Sequence, residues 1–329
     1  MGILLLVPSA GAAVAPMVTV AALVWWLDRY EREPVWLLGL TFSWGAFGGV
    51  FCGIAASLTL MAPLRWLGLP SDLRDALGTV VVAPMAEEPA KAVFLLFVLW
   101  SRNLFRATDG FVYGATAGLG FGMTENFMYF STVAMQGEFP EWFNTVLVRT
   151  AYSAVMHGCA TSLVGASVGL ARHRSKCAGV AWVCAGLLSA MLVHALWNGL
   201  ITLDVRSPDQ GRYQHINLVL LPLEALTLIA LFHLGLRRES STIRRELNVD
   251  AAAGLIPGDH PEILADSRRR RARGWLPPHV DHARYVRTCT RLAFRRAAVR
   301  AGGGESYRAD VFRLRREVAL LLGRAPPKG

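Results

Sequence analysis

Long apolar segments alternate with short polar connections over roughly the first 236 residues of the chain. About seven of these segments reach the length of roughly 20 residues that an α-helix needs to cross the hydrocarbon core of a bilayer. They lie near 3–27, 35–61, 77–100, 111–135, 147–171, 178–203 and 216–236. The pattern therefore predicts an all-α polytopic membrane protein with about seven transmembrane helices.

Beyond residue 236 the sequence becomes polar, rich in arginine and interrupted by prolines. Two amphipathic stretches follow, at about 279–301 and 305–324. In the second, Val311, Leu314, Val318, Leu321 and Leu322 recur at helical spacing, which indicates a partner helix, self-packing or a lipid-facing stripe. We therefore divide the chain into a transmembrane domain, 1–236, and a cytoplasmic Arg-rich tail, 237–329, that is partly disordered, carries two short amphipathic helices and docks on lipid.

The composition excludes most soluble classes. Hydrophobic residues make up 53% of the chain and charged residues 18%, which is typical of a polytopic membrane protein. The formal net charge of +10 comes largely from arginines beyond residue 236. Basic segments of this kind face the cytoplasm and anionic lipid, so the expected partner is the bilayer and not a nucleic acid. The five cysteines show neither metal-ligand spacing nor a disulfide framework.

The charged residues between the spans predict an orientation. Basic residues cluster on every second connection, at Arg29, Arg32, Arg102, Arg106, Arg172, Arg174, Lys176, Arg237 and Arg238. The other connections are balanced or acidic. By the positive-inside rule the N-terminus lies outside and the C-terminus inside. No basic residue precedes the first apolar run, so we expect a retained span and not a cleaved signal peptide.

Several predicted spans carry ionisable residues at one depth. With a rise of 1.5 Å per residue, Glu87 lies about 13 Å below the outer end of its span, Glu125 about 15 Å, and His157 and His194 about 14 Å. An ionisable group at the centre of a membrane helix costs about 2.5 to 3.5 kcal/mol, so such groups usually have a function. The common depth predicts that these side chains form one site.

Two of the spans also place polar side chains on a common helical face. Lys91 follows Glu88 by three residues and Glu87 by four, so it can neutralise one carboxylate and leave the other for chemistry. His194 and Asn198 are four residues apart on one helical face, an arrangement that resembles a catalytic and oxyanion-binding pair. In the "YGATAGLGFG" run, small residues allow close helix packing.

Structural roles remain alternatives for some of these residues. A single histidine or asparagine in a helical bundle can serve only to hydrogen-bond a neighbouring helix, and this applies to His157 and Asn198. Glu224 reaches a similar depth in the last span and could be a further participant or a partner of a histidine. We expect its role to be mainly structural.

The motifs "EEPAK", "GFGMTENFMYF", "VMHG" and "HALWN" occur in this order on consecutive spans. Together they resemble the PrsW family of intramembrane proteases, over roughly residues 20–235. PrsW proteases are grouped with CAAX prenyl endopeptidases and bacteriocin-immunity (Abi) proteins, whose first motif is usually EExxxR. This chain has EExxK, the PrsW form, which points away from prenyl-protein processing.

The resemblance implies an intramembrane endopeptidase in the bacterial cytoplasmic membrane. Its substrate would be a single-pass membrane protein, notably an anti-sigma factor, cut near the outer face as the first step of regulated proteolysis. By match to the family motifs, the site residues are Glu87, Glu88, Lys91, Glu125, Asn126, His157, His194 and Asn198.

Water is the expected nucleophile. Ser153, one turn before His157, is the nearest candidate hydroxyl, but no serine or cysteine has both a suitable base and an orienting group beside it in the sequence. A buried carboxylate is a competent general base. We assign Glu87 as the base and His157 as the group that positions the water.

The remaining site residues receive supporting roles. His194 and Asn198 are assigned to stabilise the developing oxyanion. Glu88 with Lys91 holds the site electrostatically. Glu125 either completes the water site or orients a histidine.

Other mechanisms and classes remain open at this point. Two carboxylates and two histidines are also a zinc-ligand set, although no HExxH motif is present. We favour a metal-free mechanism without a cofactor, mainly because the family is usually described as glutamic. An ion-coupled transporter would gather the same residue types, and a non-catalytic immunity or sensing protein could share the fold. The oligomeric state is not predicted.

Overall fold

The computed structural model describes residues 2–100, 106–137, 139–172, 174–208 and 211–325. Within these ranges the regular structure is helical and contains no strand, which confirms the all-α prediction. Arg102, one of the residues that predicted the orientation, lies outside the described residues.

Among the described residues, ten α-helices follow one another up to residue 252. They are α1 Gly2–Leu27, α2 Val35–Ser43, α3 Val50–Trp66, α4 Ser71–Leu77, α5 Ala83–Trp100, α6 Ala107–Gln136, α7 Phe139–Val148, α8 Ala154–Ala171, α9 Lys176–Arg206 and α10 Arg212–Ala252. Short π-helical segments, Trp44–Gly49, Gly78–Val82 and Arg149–Ser153, join α2 to α3, α4 to α5 and α7 to α8 without a break. Each such segment widens one turn, a feature that is frequent at functional sites.

Five helical segments among the described residues are long and apolar enough to cross a membrane. They are Ile3–Leu27, Val35–Trp66, Phe139–Ala171, Lys176–Arg206 and Arg212–Ala252. The chain is therefore a polytopic α-helical membrane protein. Helices α5 and α6 also occupy predicted spans, but α5 carries three ionisable residues and α6 is rich in small and polar residues, so neither is as apolar as the other five.

The chain forms two compact units, of which the first comprises Met1–Leu27 and Glu33–Ala230. Helix α6 packs closely against its neighbours in this unit, because its glycines allow neighbouring backbones to approach closely. A Cβ on Gly110 would lie 1.9 Å from the carbonyl oxygen of Gly165, and one on Gly118 would lie 2.1 Å from that of His157. The small residues of α6 thus seat α8 directly against it, as the sequence predicts.

The second unit comprises Asp28–Arg32 and Leu231–Gly329. Beyond α10 it contains α11 His260–Ala265, a 3₁₀ turn at Arg269–Arg271, α12 His282–Arg300 and α13 Glu305–Leu321. The last two match the predicted amphipathic helices.

The second unit has a hydrophobic core of its own. Ile243 and Leu247 of α10, Leu292 of α12 and Val318 of α13 are fully buried in one hydrophobic core. The apolar stripe of α13 therefore packs inside this unit, which is the self-packing alternative. Apolar residues spread thinly over about 90 positions do not appear as a core in the sequence, because they meet only when the helices fold together.

Candidate active site

Glu88 is the fully buried centre of a polar cluster contributed by α5, α8 and α9. Its Oε1 accepts hydrogen bonds from Lys91 Nζ at 2.7 Å and from His194 Nδ1 at 2.9 Å. Its Oε2 accepts one from the hydroxyl of Thr161 at 3.0 Å. Because three donors bind this carboxylate, its role is to hold the helices and the site together.

His157 is held by two partners, one on each ring nitrogen. Its Nδ1 lies 3.0 Å from Lys91 Nζ, and its Nε2 lies 2.6 Å from Glu125 Oε2. An ammonium group can only donate, so Nδ1 is the acceptor and Nε2 carries the proton that is donated to Glu125. The surroundings thus fix the tautomer and the orientation of the imidazole.

Glu87 is bound less completely than its neighbour. Its side chain is 18% exposed, and its Oε2 has no hydrogen-bond partner among the described residues. Lys91 Nζ lies 3.5 Å from this oxygen, and His194 Nε2 lies 3.9 Å away. Because Nδ1 of His194 donates to Glu88, its Nε2 presents a lone pair when the imidazole is neutral. A water molecule placed between this buried carboxylate oxygen and the nitrogen would hydrogen-bond to both.

Glu125 lies on another side of the cluster, next to Arg149 and Tyr129, two residues that were not predicted from the sequence. Arg149 Nη2 forms an ion pair with Glu125 Oε2 at 2.9 Å, and Arg149 Nε donates a hydrogen bond to the side-chain oxygen of Asn126 at 3.2 Å. Its guanidinium lies 3.6 Å above the centre of the Tyr129 ring. Arg149 begins the π-helical segment that leads into α8, two turns before His157.

Sequence signals for these additional residues existed but were weak. Arg149 falls near the start of a predicted span, where an arginine is ordinarily assigned to the membrane surface. Thr161 follows His157 by one helical turn, and that spacing places its hydroxyl on the same face. Neither feature alone separates a site residue from a surface or packing residue.

Asn198 is placed differently from the other predicted site residues. Its amide nitrogen donates to the backbone carbonyl of Thr79 at 2.9 Å, and the residue is not hydrogen-bonded to the cluster. Thr79 belongs to a π-helical segment, in which a widened turn can leave a carbonyl without its usual partner. In this arrangement Asn198 ties α9 to the start of α5, and its role towards the oxyanion stays a prediction.

Two further candidates are not joined to the cluster. Glu224 on α10 has a buried Oε1 without a hydrogen-bond partner among the residues described, and no ion pair links it to the histidines. Ser153 makes no hydrogen bond to His157, since both ring nitrogens are engaged by other groups. The structure thus brings together Glu87, Glu88, Lys91, Glu125, His157 and His194.

The residue types at the centre also fit a zinc ion. One ligand atom each from Glu87, His157 and His194 lie within 4.8 Å of one another, and Glu87 Oε2 is unpartnered. Each imidazole is hydrogen-bonded to a carboxylate, His194 to Glu88 and His157 to Glu125, as is usual for zinc-binding histidines. Coordination through His157 Nδ1 requires the Lys91 ammonium to give up its contact with that nitrogen.

Comparison with known proteins identifies the family of the chain. The family model described as "PrsW family intramembrane metalloprotease" matches residues 33–227, more than half of the chain. Protease PrsW of Bacillus subtilis (strain 168) is 23% identical over 197 residues, which are 58% of this chain and 81% of that protein. No solved structure matches the chain. The chain therefore belongs to the PrsW family of intramembrane proteases and is a membrane-embedded peptidase.

Proposed function

We propose that this protein hydrolyses a peptide bond of a membrane-anchored protein with a water molecule activated by Glu87. The observation that carries the proposal is the contrast within the cluster. Glu88, Lys91 and His157 have their polar atoms engaged, whereas Glu87 keeps a free carboxylate oxygen beside the lone pair of His194. A general base must be able to accept a proton, and Glu87 is free to do so.

The proposed reaction follows from these positions. The water donates one hydrogen bond to Glu87 and one to His194 Nε2, which together aim its oxygen at the substrate carbonyl. Glu87 takes the proton as the oxygen attacks, and it later delivers that proton to the leaving amine. The fixed ammonium of Lys91, 3.5 Å from Glu87, stabilises negative charge as it develops.

His157 and Glu125 act in support. The bond from His157 Nε2 to Glu125 holds the ring against Lys91, and Arg149 holds Glu125 in turn. This chain of contacts keeps the ammonium beside the reacting groups. Asn198 would contribute to oxyanion binding if its amide left the carbonyl of Thr79 on substrate binding.

A zinc-dependent reaction is the second candidate. It is favoured by the three potential ligands, Glu87, His157 and His194, and by the description of the matching family as a metalloprotease. A zinc ion in such a set would supply a bound water of lowered pKa and polarise the substrate carbonyl. Glu88 and Glu125 would then orient the two imidazoles.

The proposal includes seven spans with the N-terminus outside and the C-terminus inside. Support comes from the basic residues on alternate connections and from long helices at each predicted span. Helices α5 and α6 can cross the bilayer despite their polar residues, because many of those residues, including Glu88, Lys91 and Asn126, are buried against neighbouring helices. The substrate is proposed to be a single-pass protein of the bacterial cytoplasmic membrane, such as an anti-sigma factor, cut near the outer face.

The test compares the membrane proteomes of a deletion strain complemented with the parental protein, with Glu87→Gln or with Glu224→Gln. Glu224 is a matched control, because it is an intramembrane glutamate that is not joined to the cluster. We expect single-pass proteins that stay uncut in the deletion strain and with Glu87→Gln, but are cut with Glu224→Gln. A variant Glu87→Gln that restores cleavage at normal abundance contradicts the proposal.

A further inference from the structure

The second unit contains a cavity of about 500 Å³ with a cationic wall. Three arginines from separate parts of the chain line it: Arg29 after α1, Arg237 within α10 and Arg268 after α11. Arg29 and Arg237 lie outside the 33–227 stretch that matches the family, as does Arg268. The cavity therefore belongs to the part of the protein for which the family likeness offers no function.

The position of these arginines along the chain puts the cavity at the membrane surface. Arg29 comes two residues after the end of α1, and Arg237 directly follows the apolar part of α10. Both helices are candidate membrane spans. Basic residues at this level meet the headgroups of the cytoplasmic leaflet.

The three guanidinium groups are not neutralised by ion pairs. Other arginines of this unit are paired, for example Arg296 and Arg315 with Asp250. For Arg29, Arg237 and Arg268, no ion pair with a described carboxylate exists. Asp266 is the acidic residue of the wall, and its Oδ1 already accepts the backbone N–H groups of Arg268 and Arg269. The wall thus has an excess of positive charge.

The back of the cavity is fixed and also positive. The hydroxyls of Tyr30 and Ser240 both donate to the carbonyl of Ala265, each at 2.8 Å. Behind Tyr30, the guanidinium of Arg270 lies 5.1 Å from the ring centre and donates to Leu264 O and Thr290 Oγ1. Arg270 is 3% exposed and has no ion-pair partner among the described residues. A buried cation without an ion pair among the described residues, next to the wall, favours an anion in the cavity.

We propose that this cavity binds the phosphate group of an anionic phospholipid of the cytoplasmic leaflet. Arg29, Arg237 and Arg268 provide the planar donors that suit phosphate oxygens, and the side chain of Ser267 adds a neutral donor. The chain continues directly from two candidate membrane spans into the wall of this cavity. A lipid headgroup is therefore the phosphate source that lies nearest to it. Binding there would attach the second unit to the bilayer surface.

The experiment uses the purified full-length protein in a neutral detergent and counts bound lipids by native mass spectrometry. Phosphatidylglycerol and phosphatidylcholine are added separately at equal concentrations. We expect phosphatidylglycerol to be retained preferentially, and we expect Arg268→Gln to lower its affinity by about fivefold or more, the effect of removing roughly one favourable arginine contact. Arg268→Lys should retain most of the affinity, because it keeps the charge.

Arg308→Gln is the matched control. Arg308 is an exposed arginine of α13 that forms no ion pair with any described carboxylate, so this substitution removes the same charge away from the cavity. Glycerol phosphate, added at the same concentration, tests whether a soluble phosphate compound binds in place of the lipid. It should not displace the lipid. Equal losses for Arg268→Gln and Arg308→Gln, equal retention of both lipids, or displacement by glycerol phosphate would each overturn the proposal. Thermal unfolding of every variant shows that the fold is retained.

Discussion

Glu87 and Glu88 are adjacent in sequence but have opposite surroundings. Glu88 is fully buried, and its two oxygens accept three hydrogen bonds, whereas Glu87 is partly exposed and has an oxygen without a hydrogen-bond partner among the described residues. Successive residues of a helix point about 100° apart, so one carboxylate can face the packed helices while the other faces the open side of the cluster. The proposed function therefore gives the paired glutamates different tasks, a structural one for Glu88 and a chemical one for Glu87.

The first prediction separates these two tasks. Glu87→Gln should lower the cleavage rate by about 10²-fold to 10⁴-fold, the usual contribution of a general base, with little change in thermal stability. Glu88→Gln removes a negative charge that compensates the buried Lys91, so it should lower the unfolding temperature as well as the activity. Both quantities are measured on protein purified in detergent. Equal destabilisation by the two substitutions would contradict this division.

The second prediction concerns Arg149 as a positioning residue. Arg149→Gln frees Glu125 and should reduce kcat more than it raises KM, because the substrate-binding surface is unchanged while the His157 ring loses its support. Arg149→Lys, which preserves the charge, should recover part of the rate. Arg172 near the end of α8 provides a comparison, and Arg172→Gln should leave kcat unchanged. A proportionate change in KM alone for Arg149→Gln would indicate substrate binding instead.

The sequence predicted the cluster better than it predicted the residues around it. Depth along each span required only the helical rise, and it indicated that Glu87, Glu125, His157 and His194 lie near one another. The direction in which the Arg149 side chain points depends on the rotation introduced by a π-helical segment. Spacing rules for regular helices do not include this rotation. The core of the second unit depends on contacts between distant segments, such as Ile243 with α12 and α13, and these have no local signature.

The third prediction tests the close contact of α6 and α8. Gly118→Ala places a methyl group 2.1 Å from the carbonyl oxygen of His157, which no rotamer can relieve. The helices must separate, so the substitution should destabilise the protein by at least about 1 to 3 kcal/mol and displace His157 from Glu125. Gly39→Ala is the control, because nothing lies within 4 Å of its added Cβ. The unfolding temperature should fall for Gly118→Ala and stay near the parental value for Gly39→Ala, and equal decreases for both variants would contradict the prediction.

The fourth prediction addresses orientation. In a cysteine-free background, Ser207→Cys, after α9, should react with a membrane-impermeant thiol reagent on intact cells. Ser241→Cys, on the exposed face of α10 beyond the last span, should react only after the cells are permeabilised. Since permeabilised cells expose both sites, they control for burial of the thiols. Labelling of Ser241→Cys alone on intact cells would reverse the proposed topology.

The fifth prediction distinguishes the metal-free reaction from the zinc-dependent one. In the metal-free reaction, Glu87 itself accepts the proton, so the purified protein should contain well under one zinc per chain and keep its activity in phenanthroline. Activity should fall as the pH is lowered, because a protonated carboxylate cannot act as a base. In the zinc-dependent reaction, Glu87, His157 and His194 are ligands, so a chelator should abolish cleavage and added zinc should restore it. Lys91→Met discriminates further: it removes the ammonium from His157 Nδ1, which should weaken the metal-free reaction but leave that nitrogen open to zinc. Stoichiometric zinc with chelator-reversible loss of activity would replace the metal-free mechanism while retaining the same three residues at the centre.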